Sequence, residues 1–205
     1  MQWERLFDDL EGQLASEWEA ERAALAAESE RLRISRLDLR SRLRLLCGAE
    51  ALVTVDLIRG RREPVRLAAL GADWIGAASS PAEGTRAARS MLVIPLSALR
   101  GLGIDHGLLL SSLEEQAEQQ PNLRERMTLG FLLRDLARRR LPVRVQTVEG
   151  EDLHGTIDRA GADHLDLALH DAGSARLASA VQGFRIIPFE AIACVRTAAG
   201  ADQPL

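Results

Sequence analysis

The sequence predicts an α+β fold, in which an N-terminal amphipathic helix is followed by two tandem five-stranded small β-barrels, each preceded by a helix. Three observations predict it. Apolar residues first recur at the spacing of a helix, then alternate with polar residues as in strands, and the second pattern returns about 90 residues later. With 205 residues, of which 46% are hydrophobic, the chain is long enough to bury a core.

A stripe of apolar side chains indicates the N-terminal helix. Its members, at spacings of four, three, four and four residues, are Trp3, Phe7, Leu10, Leu14 and Trp18. Leu25 and Leu32 continue the stripe, seven residues apart. Only one position per heptad is apolar there, which favours a helix or helical hairpin packed on a neighbour over a self-standing coiled coil. The five residues are a candidate surface for another protein or for a second copy of this chain.

A short helix opens the first β unit. Ser35 to Asp38 has the pattern of a helix start, with a side-chain oxygen at the cap and a carboxylate three residues on. Gly48 suits the end of that helix. From Val53 onwards apolar and polar residues alternate, which is typical of a strand.

The same unit recurs further along the chain. At an offset of 90 residues, Val53-Thr54-Val55 aligns with Val143-Arg144-Val145 and Gly71-Ala72-Asp73 with Gly161-Ala162-Asp163; at an offset of 93, Ile94-Pro95 aligns with Ile187-Pro188. One three-residue length difference in a loop accounts for the change of offset, because surface loops tolerate insertion. We interpret the repeat as a duplication and predict a tight hairpin turn at Gly60 and at Gly150.

These features predict the domain organisation. It comprises an acidic amphipathic N-terminal helix (1–34), a first barrel with its lead helix (35–103), a linker (104–120), a second barrel with its lead helix (121–197) and a flexible tail (198–205). A helix over Asn122–Arg140 is the predicted lead helix of the second barrel.

The second β unit has a distinctive order of residues. It runs through Val143-Arg144-Val145, Gly150, Gly155-Thr156-Ile157, Asp163–Leu169 and Ile186–Ile192. This order resembles the Sm-like (SH3-like) fold of small RNA-associated barrels, and the resemblance implies a non-enzymatic binding protein that associates with RNA and pairs strand edges with other copies. Asp166 stands where the base-reading Asn would be, and Pro188-Phe189 where an Arg-Gly loop would be. The resemblance therefore implies the fold more than the RNA site.

The segment Leu32–Leu43 reads Leu-Arg-Ile-Ser-Arg-Leu-Asp-Leu-Arg-Ser-Arg-Leu. It resembles the recognition half of a Fis-type helix-turn-helix, and the chain is similar to proteins assigned to the Fis family of transcriptional regulators. The resemblance implies DNA binding. Arg33 occupies the place of the turn glycine, and arginine does not adopt a left-handed turn cheaply. The segment is also accounted for as the lead helix of the first barrel.

Charge is segregated along the chain, although the net charge of −4 argues against nucleic-acid binding over the whole surface. Residues 1–30 carry nine acidic residues against two arginines, whereas residues 31–47 carry six arginines against Asp38. Such blocks attract one another, within a chain or between subunits, or they attract phosphate. The candidate nucleic-acid-binding residues are Arg40, Arg42 and Arg44 on the first lead helix, Arg138, Arg139 and Arg140 on the second, and His164 and Asp166 on a strand.

Several classes of function and site are not expected. No catalytic signature is present, so we predict neither enzyme activity nor a cofactor. Cys47 and Cys194 are too few for a disulfide scaffold or a Cys-based zinc site, and no metal site is predicted. His164, Asp166 and His170 are expected to face outward together from one strand as a solvated surface. The absence of a long apolar run and of a signal-peptide pattern predicts a soluble cytoplasmic protein without a membrane partner.

Three functions remain open at this point. The first is a regulatory binding protein that associates with RNA through the arginine clusters on tandem Sm-like barrels. The alternative is a protein–protein adaptor or oligomeric scaffold that does not bind nucleic acid. The third is a Fis-like DNA-binding transcriptional regulator.

Overall fold

The computed structural model describes residues 2–79, 90–114, 122–172 and 179–198 of the chain. The chain divides into two compact units, Met1–Arg42 and Leu43–Leu205. None of the helices among the described residues is long and apolar enough to cross a membrane. The predicted tail, 198–205, lies outside the described residues except for Ala198.

The first unit consists mainly of one continuous helix, α1 (Gln2–Ser35). Of the two structures predicted for this segment, the single helix is therefore confirmed and the helical hairpin is not. Helix α2 (Leu39–Gly48) follows. Its cap differs from the prediction, because Ser35 is the last residue of α1 and its hydroxyl donates a hydrogen bond to the Leu32 carbonyl. The Asp38 carboxylate instead accepts a hydrogen bond of 2.7 Å from the Ser41 N–H, and α2 begins after it.

The described residues of the second unit form ten strands. Their bounds are β1 (Leu52–Leu57), β2 (Arg62–Leu70), β3 (Trp74–Ser79), β4 (Ser90–Pro95), β5 (Leu99–Gly103), β6 (Pro142–Thr147), β7 (Asp152–Ala160), β8 (His164–Leu169), β9 (Gly183–Pro188) and β10 (Ile192–Ala198). Two further helices, α3 (His106–Ser111) and α4 (Leu129–Arg139), lie between β5 and β6. The predicted helix Asn122–Arg140 is shorter, because Thr128 caps α4 and Arg124–Arg126 forms a separate 3-10 turn.

All ten strands form one antiparallel sheet in the order β5-β1-β2-β3-β4-β10-β6-β7-β8-β9. The sheet is open, with β5 and β9 at its edges. Two separate closed barrels are therefore not confirmed: β4 pairs with β10 and joins the two sets of strands.

The two halves of the sheet repeat at the offsets predicted from the sequence. The bounds of β6, β7 and β8 equal those of β1, β2 and β3 plus 90, and those of β9 equal the bounds of β4 plus 93. The pairing register repeats as well, since Val55 faces Leu102 in the first half and Val145 faces Val195 in the second. Gly60 and Gly150 have φ angles of 70° and 91° at equivalent hairpin turns, a conformation that favours glycine.

Each lead helix buries its leucine face on its own half of the sheet. Leu43 and Leu46 of α2 lie in one core with the alternating side chains of β1, and Leu133 and Leu136 of α4 lie in another with those of β6. The second core also contains three residues of the first half, Ala69, Trp74 and Val93. The two halves therefore share apolar packing as well as hydrogen bonds at their junction.

Candidate functional site

The junction between β4 and β10, which we call the seam, shows how one half of the molecule binds the other. Val93 faces Val195 and Leu92 faces Arg196 across it. Val93 is 3% exposed and belongs to the same core as Leu129 of α4. The outermost strand of the first half is thus covered by the second half, and the start of α4 of the second half is buried in the same core.

An ion pair fastens the seam. The Arg196 guanidinium of β10 binds the Glu63 carboxylate of β2 through two hydrogen bonds, of which the one from Nη1 to Oε1 measures 2.6 Å. Both side chains are more than four-fifths buried. Burial alone would lower the pKa of Arg196, but the hydrogen bonds and charge of Glu63 outweigh burial and raise that pKa.

A second set of contacts holds the start of α4 on the first half. The Met127 carbonyl accepts hydrogen bonds from the Ala72 N–H at 2.7 Å and from the Trp74 indole N–H at 2.9 Å. The Asp73 carboxylate accepts one at 2.6 Å from the N–H of Leu129, the first residue of α4. A carboxylate at a helix N-terminus satisfies a free donor and complements the helix dipole.

Arg44, predicted as a nucleic-acid-binding residue, forms an ion pair with Glu125. Its guanidinium lies 2.8 Å from the Glu125 carboxylate, which is 8% exposed. The neighbouring Cys47 thiol is buried, and burial together with the Glu125 charge raises its pKa to about 12. Burial also raises the pKa of Cys194, so both thiols are protonated at neutral pH, and neither forms a disulfide.

The remaining predicted arginines of this unit have acidic partners. Arg138 and Arg139 bind Asp135 at 2.6 and 2.7 Å, and Arg140 lies 3.9 Å from Asp158. The hydrogen bond from Arg138, with the charges of both arginines, lowers the pKa of Asp135 although partial burial opposes it. Two carboxylates, Asp135 and Asp158, thus lie against the three arginines of this run. Arg40 and Arg42 are half-buried on α2.

His164 and Asp166 lie on β8 but are engaged with different neighbours. The Asp163 carboxylate lies 2.8 Å from His164 Nδ1, and this hydrogen bond lowers the pKa of Asp163. Asp166 lies 4.0 Å from Arg159. The expectation that His170 shares their outward face is wrong, because His170 follows the end of β8 and is 3% exposed.

The structure brings together two histidines, His154 of β7 and His170, which follows β8. The rings of His154 and His170 meet edge to face with centroids 5.1 Å apart, beside a cavity of about 280 Å³. His170 Nε2 lies 2.9 Å from the Thr156 hydroxyl, and its Nδ1 lies 3.1 Å from the Asp171 carbonyl. Gly155 pairs with Leu169 in the β7–β8 hairpin, so the next residues outward, His154 and His170, lie side by side.

The edge strand β9 has two large apolar side chains that are exposed to solvent. Phe184 and Ile186 are 66% and 70% exposed. The repeat makes Ile186 the counterpart of Val93, which the seam buries. Likewise Leu39 of α2, which is 55% exposed, is the counterpart of the buried Leu129. Equivalent residues of the two halves therefore differ in exposure: Val93 and Leu129 are buried, and Ile186 and Leu39 are exposed.

The predicted apolar stripe of α1 is exposed along the helix. Its described members are at least 45% exposed: Phe7, Leu10, Leu14, Trp18, Leu25 and Leu32. Trp3 belongs to α1, but its side chain lies outside the described part of the structure.

Among the residues that the structure describes, no three His, Cys, Asp or Glu side chains are grouped so that they could hold a metal ion.

No protein-family model matches the chain, and no curated protein or solved structure matches it either.

Proposed function

We propose that this protein is a non-catalytic, self-assembling scaffold whose copies join head to tail through the two edges of the sheet. In this assembly β5 of one copy lies along β9 of the next, as β10 lies along β4 within the chain. Each half is proposed to be an Sm-like module. The return of the fifth strand to pair with the first, seen as β5 on β1 and β10 on β6, supports that proposal.

The observation that carries the proposal is the contrast between equivalent residues at the seam and at the ends. Val93 and Leu129 are 3% and 4% exposed where the halves meet, while their counterparts Ile186 and Leu39 are 70% and 55% exposed. Burying large apolar side chains stabilises an interface by about 25 cal/mol per Å² of apolar area. An exposed strand edge also offers unpaired backbone donors and acceptors to another strand.

The repeat predicts the register of the interface. Because Val195 faces Val93 at the seam, Leu102 of one copy is expected to face Ile186 of the next. Gly103 is then opposite Arg185, and no side chain of β5 obstructs the approach at that position. The interface is heterologous, so its repetition yields either a closed ring or an open chain.

Protein rather than nucleic acid is the proposed partner because four of the six candidate arginines face a carboxylate within the chain. Arg44, Arg138, Arg139 and Arg140 each face a carboxylate. A phosphate would have to compete with these carboxylates, which are held on the same or adjoining elements.

Sedimentation velocity over a concentration series tests the proposal. The wild-type chain is expected to form species that are multiples of 22.4 kDa and grow with concentration. The variant Phe184→Lys/Ile186→Lys is expected to lose all growth beyond two chains, because lysines on an edge strand oppose strand addition. Phe131→Lys is the matched control, since Phe131 is also exposed but lies on α4. Species larger than two chains that survive the edge substitutions would overturn the proposal.

Disulfide trapping tests the register. The variant Leu102→Cys/Ile186→Cys is expected to form a chain-to-chain disulfide between the introduced thiols, because facing residues of antiparallel strands lie within disulfide reach. Peptide mapping separates this bond from any that involves the buried Cys47 or Cys194.

A further inference from the structure

The exposed apolar stripe of α1 consists of residues that belong to neither edge strand of the sheet. At 100° per residue, the six described members of the stripe fall within an arc of about 80° on the helix. They keep to this arc from Phe7 to Leu32, over most of a 34-residue helix. A narrow, straight stripe of this kind matches one partner helix better than a sheet face, which needs a wider apolar face.

The stripe can be matched to itself in reverse. When two copies of α1 lie antiparallel with a two-fold axis between Glu19 and Ala20, residue numbers that sum to 39 are level. Phe7 is then level with Leu32, and Leu14 with Leu25. All four of these side chains are exposed within the chain.

Charge selects the same orientation. Residues 2–19 carry six acidic residues and one arginine, for a net charge of −5, whereas residues 20–35 carry three of each, for a net charge of zero. A parallel pair would set −5 against −5. An antiparallel pair sets each acidic half against a neutral half that contains Arg22, Arg31 and Arg33, which reduces the repulsion.

We propose that α1 pairs with α1 of a second copy as an antiparallel two-helix coil, with Phe7 level with Leu32 and Leu14 level with Leu25. The interface is isologous, since each stripe presents the same residues to the other. It joins two chains at their N-terminal helices and does not involve β5 or β9. Combined with the proposed head-to-tail contact, it would cross-link assemblies, but it does not depend on that contact.

The oligomeric state tests this pairing in a chain whose sheet edge is blocked. In the Phe184→Lys/Ile186→Lys background, sedimentation equilibrium is expected to give a dimer of twice 22.4 kDa. Adding Leu14→Gln/Leu25→Gln is expected to give a monomer. Adding Ala20→Gln/Ala27→Gln, on the opposite and equally exposed face of α1, is expected to leave the dimer intact. A monomer, trimer or tetramer in the edge-blocked background would overturn the proposal.

Disulfide trapping decides the orientation. In the same background, Leu14→Cys/Leu25→Cys is expected to form chain-to-chain disulfides between positions 14 and 25. Leu14→Cys alone is expected to form none, because the two copies of position 14 lie 11 residues, or about 16 Å, apart along an antiparallel pair. A disulfide between two copies of position 14 would show a parallel pair and contradict the inference. Circular dichroism of each variant checks that α1 stays helical.

Discussion

The Asp73 carboxylate accepts a hydrogen bond of 2.6 Å from the main-chain N–H of Leu129, so a turn of the first half holds the first residue of the second lead helix. Asp163 occupies the equivalent turn of the second half, where its side chain is 88% exposed. The two aspartates share the tripeptide Gly-Ala-Asp and the backbone geometry of their turns. They differ in their hydrogen-bond partners: Asp73 accepts from the Leu129 N–H, whereas the Asp163 carboxylate contacts the adjacent His164.

Replacing Asp73 by Ala is expected to destabilise the protein by about 1–2 kcal/mol, because the first N–H of α4 loses an anionic acceptor at the helix N-terminus. Asp163→Ala is the matched control and is expected to leave the urea midpoint unchanged, since its only described side-chain partner is the adjacent His164. Equal shifts in the midpoint for the two variants would contradict the capping role of Asp73.

Replacing Glu63 by Ala is expected to cost about 2–3 kcal/mol, because the largely buried Arg196 guanidinium would lose its bidentate partner. Glu149→Ala is a control at an exposed ion pair, where Glu149 lies 3.6 Å from Arg59, and is expected to change stability by less than about 0.5 kcal/mol. The free energy of unfolding from urea titration measures both effects. A Glu63 variant as stable as the control would show that the seam does not depend on this pair.

Alkaline pH is expected to weaken the core around Cys47. Its pKa is about 12 in the folded chain and about 9 when unperturbed, so the folded state favours the neutral thiol. The corresponding stability is fully present below pH 9 and is lost as the pH rises from 9 towards 12. At pH 8 the thiolate fraction of Cys47 is about 1,000-fold below that of an ordinary cysteine. Native alkylation by iodoacetamide should therefore be far slower than in urea, and rapid native labelling of Cys47 would show that its thiol is not buried.

Filter binding across a salt series is expected to show no steep salt dependence for single-stranded RNA or duplex DNA, because the arginine run is paired with Asp135 and Asp158. The variant Arg138→Ala/Arg139→Ala/Arg140→Ala is expected to retain nucleic acid no differently from the wild type. Salt-sensitive binding that this variant loses would restore the interpretation of the run as a phosphate-binding surface.

Much of the local structure could be predicted from the sequence, because it depends on residues that are near one another in the chain. The stripe from Phe7 to Leu32 predicts α1, and the alternation that starts at Val53 predicts β1. The offsets of 90 and 93 residues predict which strands correspond. The errors in where the helices start concern caps, because one side-chain oxygen sets the start: Asp38 rather than Ser35 begins α2, and Thr128 rather than Asn122 begins α4.

Less of the candidate site could be predicted from the sequence, because the site consists of contacts between residues far apart in the chain. No local pattern distinguishes Val93 from Ile186 or Asp73 from Asp163, yet one of each pair is engaged at the junction of the halves and the other is exposed. The arginines were visible as charges, but their carboxylate partners depended on side-chain distances.

The sequence by itself determined the helices, the strands and their repetition, because backbone preference and hydrophobic period act over a few residues. Only the tertiary structure decided that β4 pairs with β10 in one open sheet, and hence that β5 and β9 are left as edges. The physical reason is that strands pair through backbone N–H and C=O groups, which are nearly the same in every strand. The residue sequence of a strand therefore does not specify which strand pairs with it. Which edge is covered follows from how the two halves meet in space.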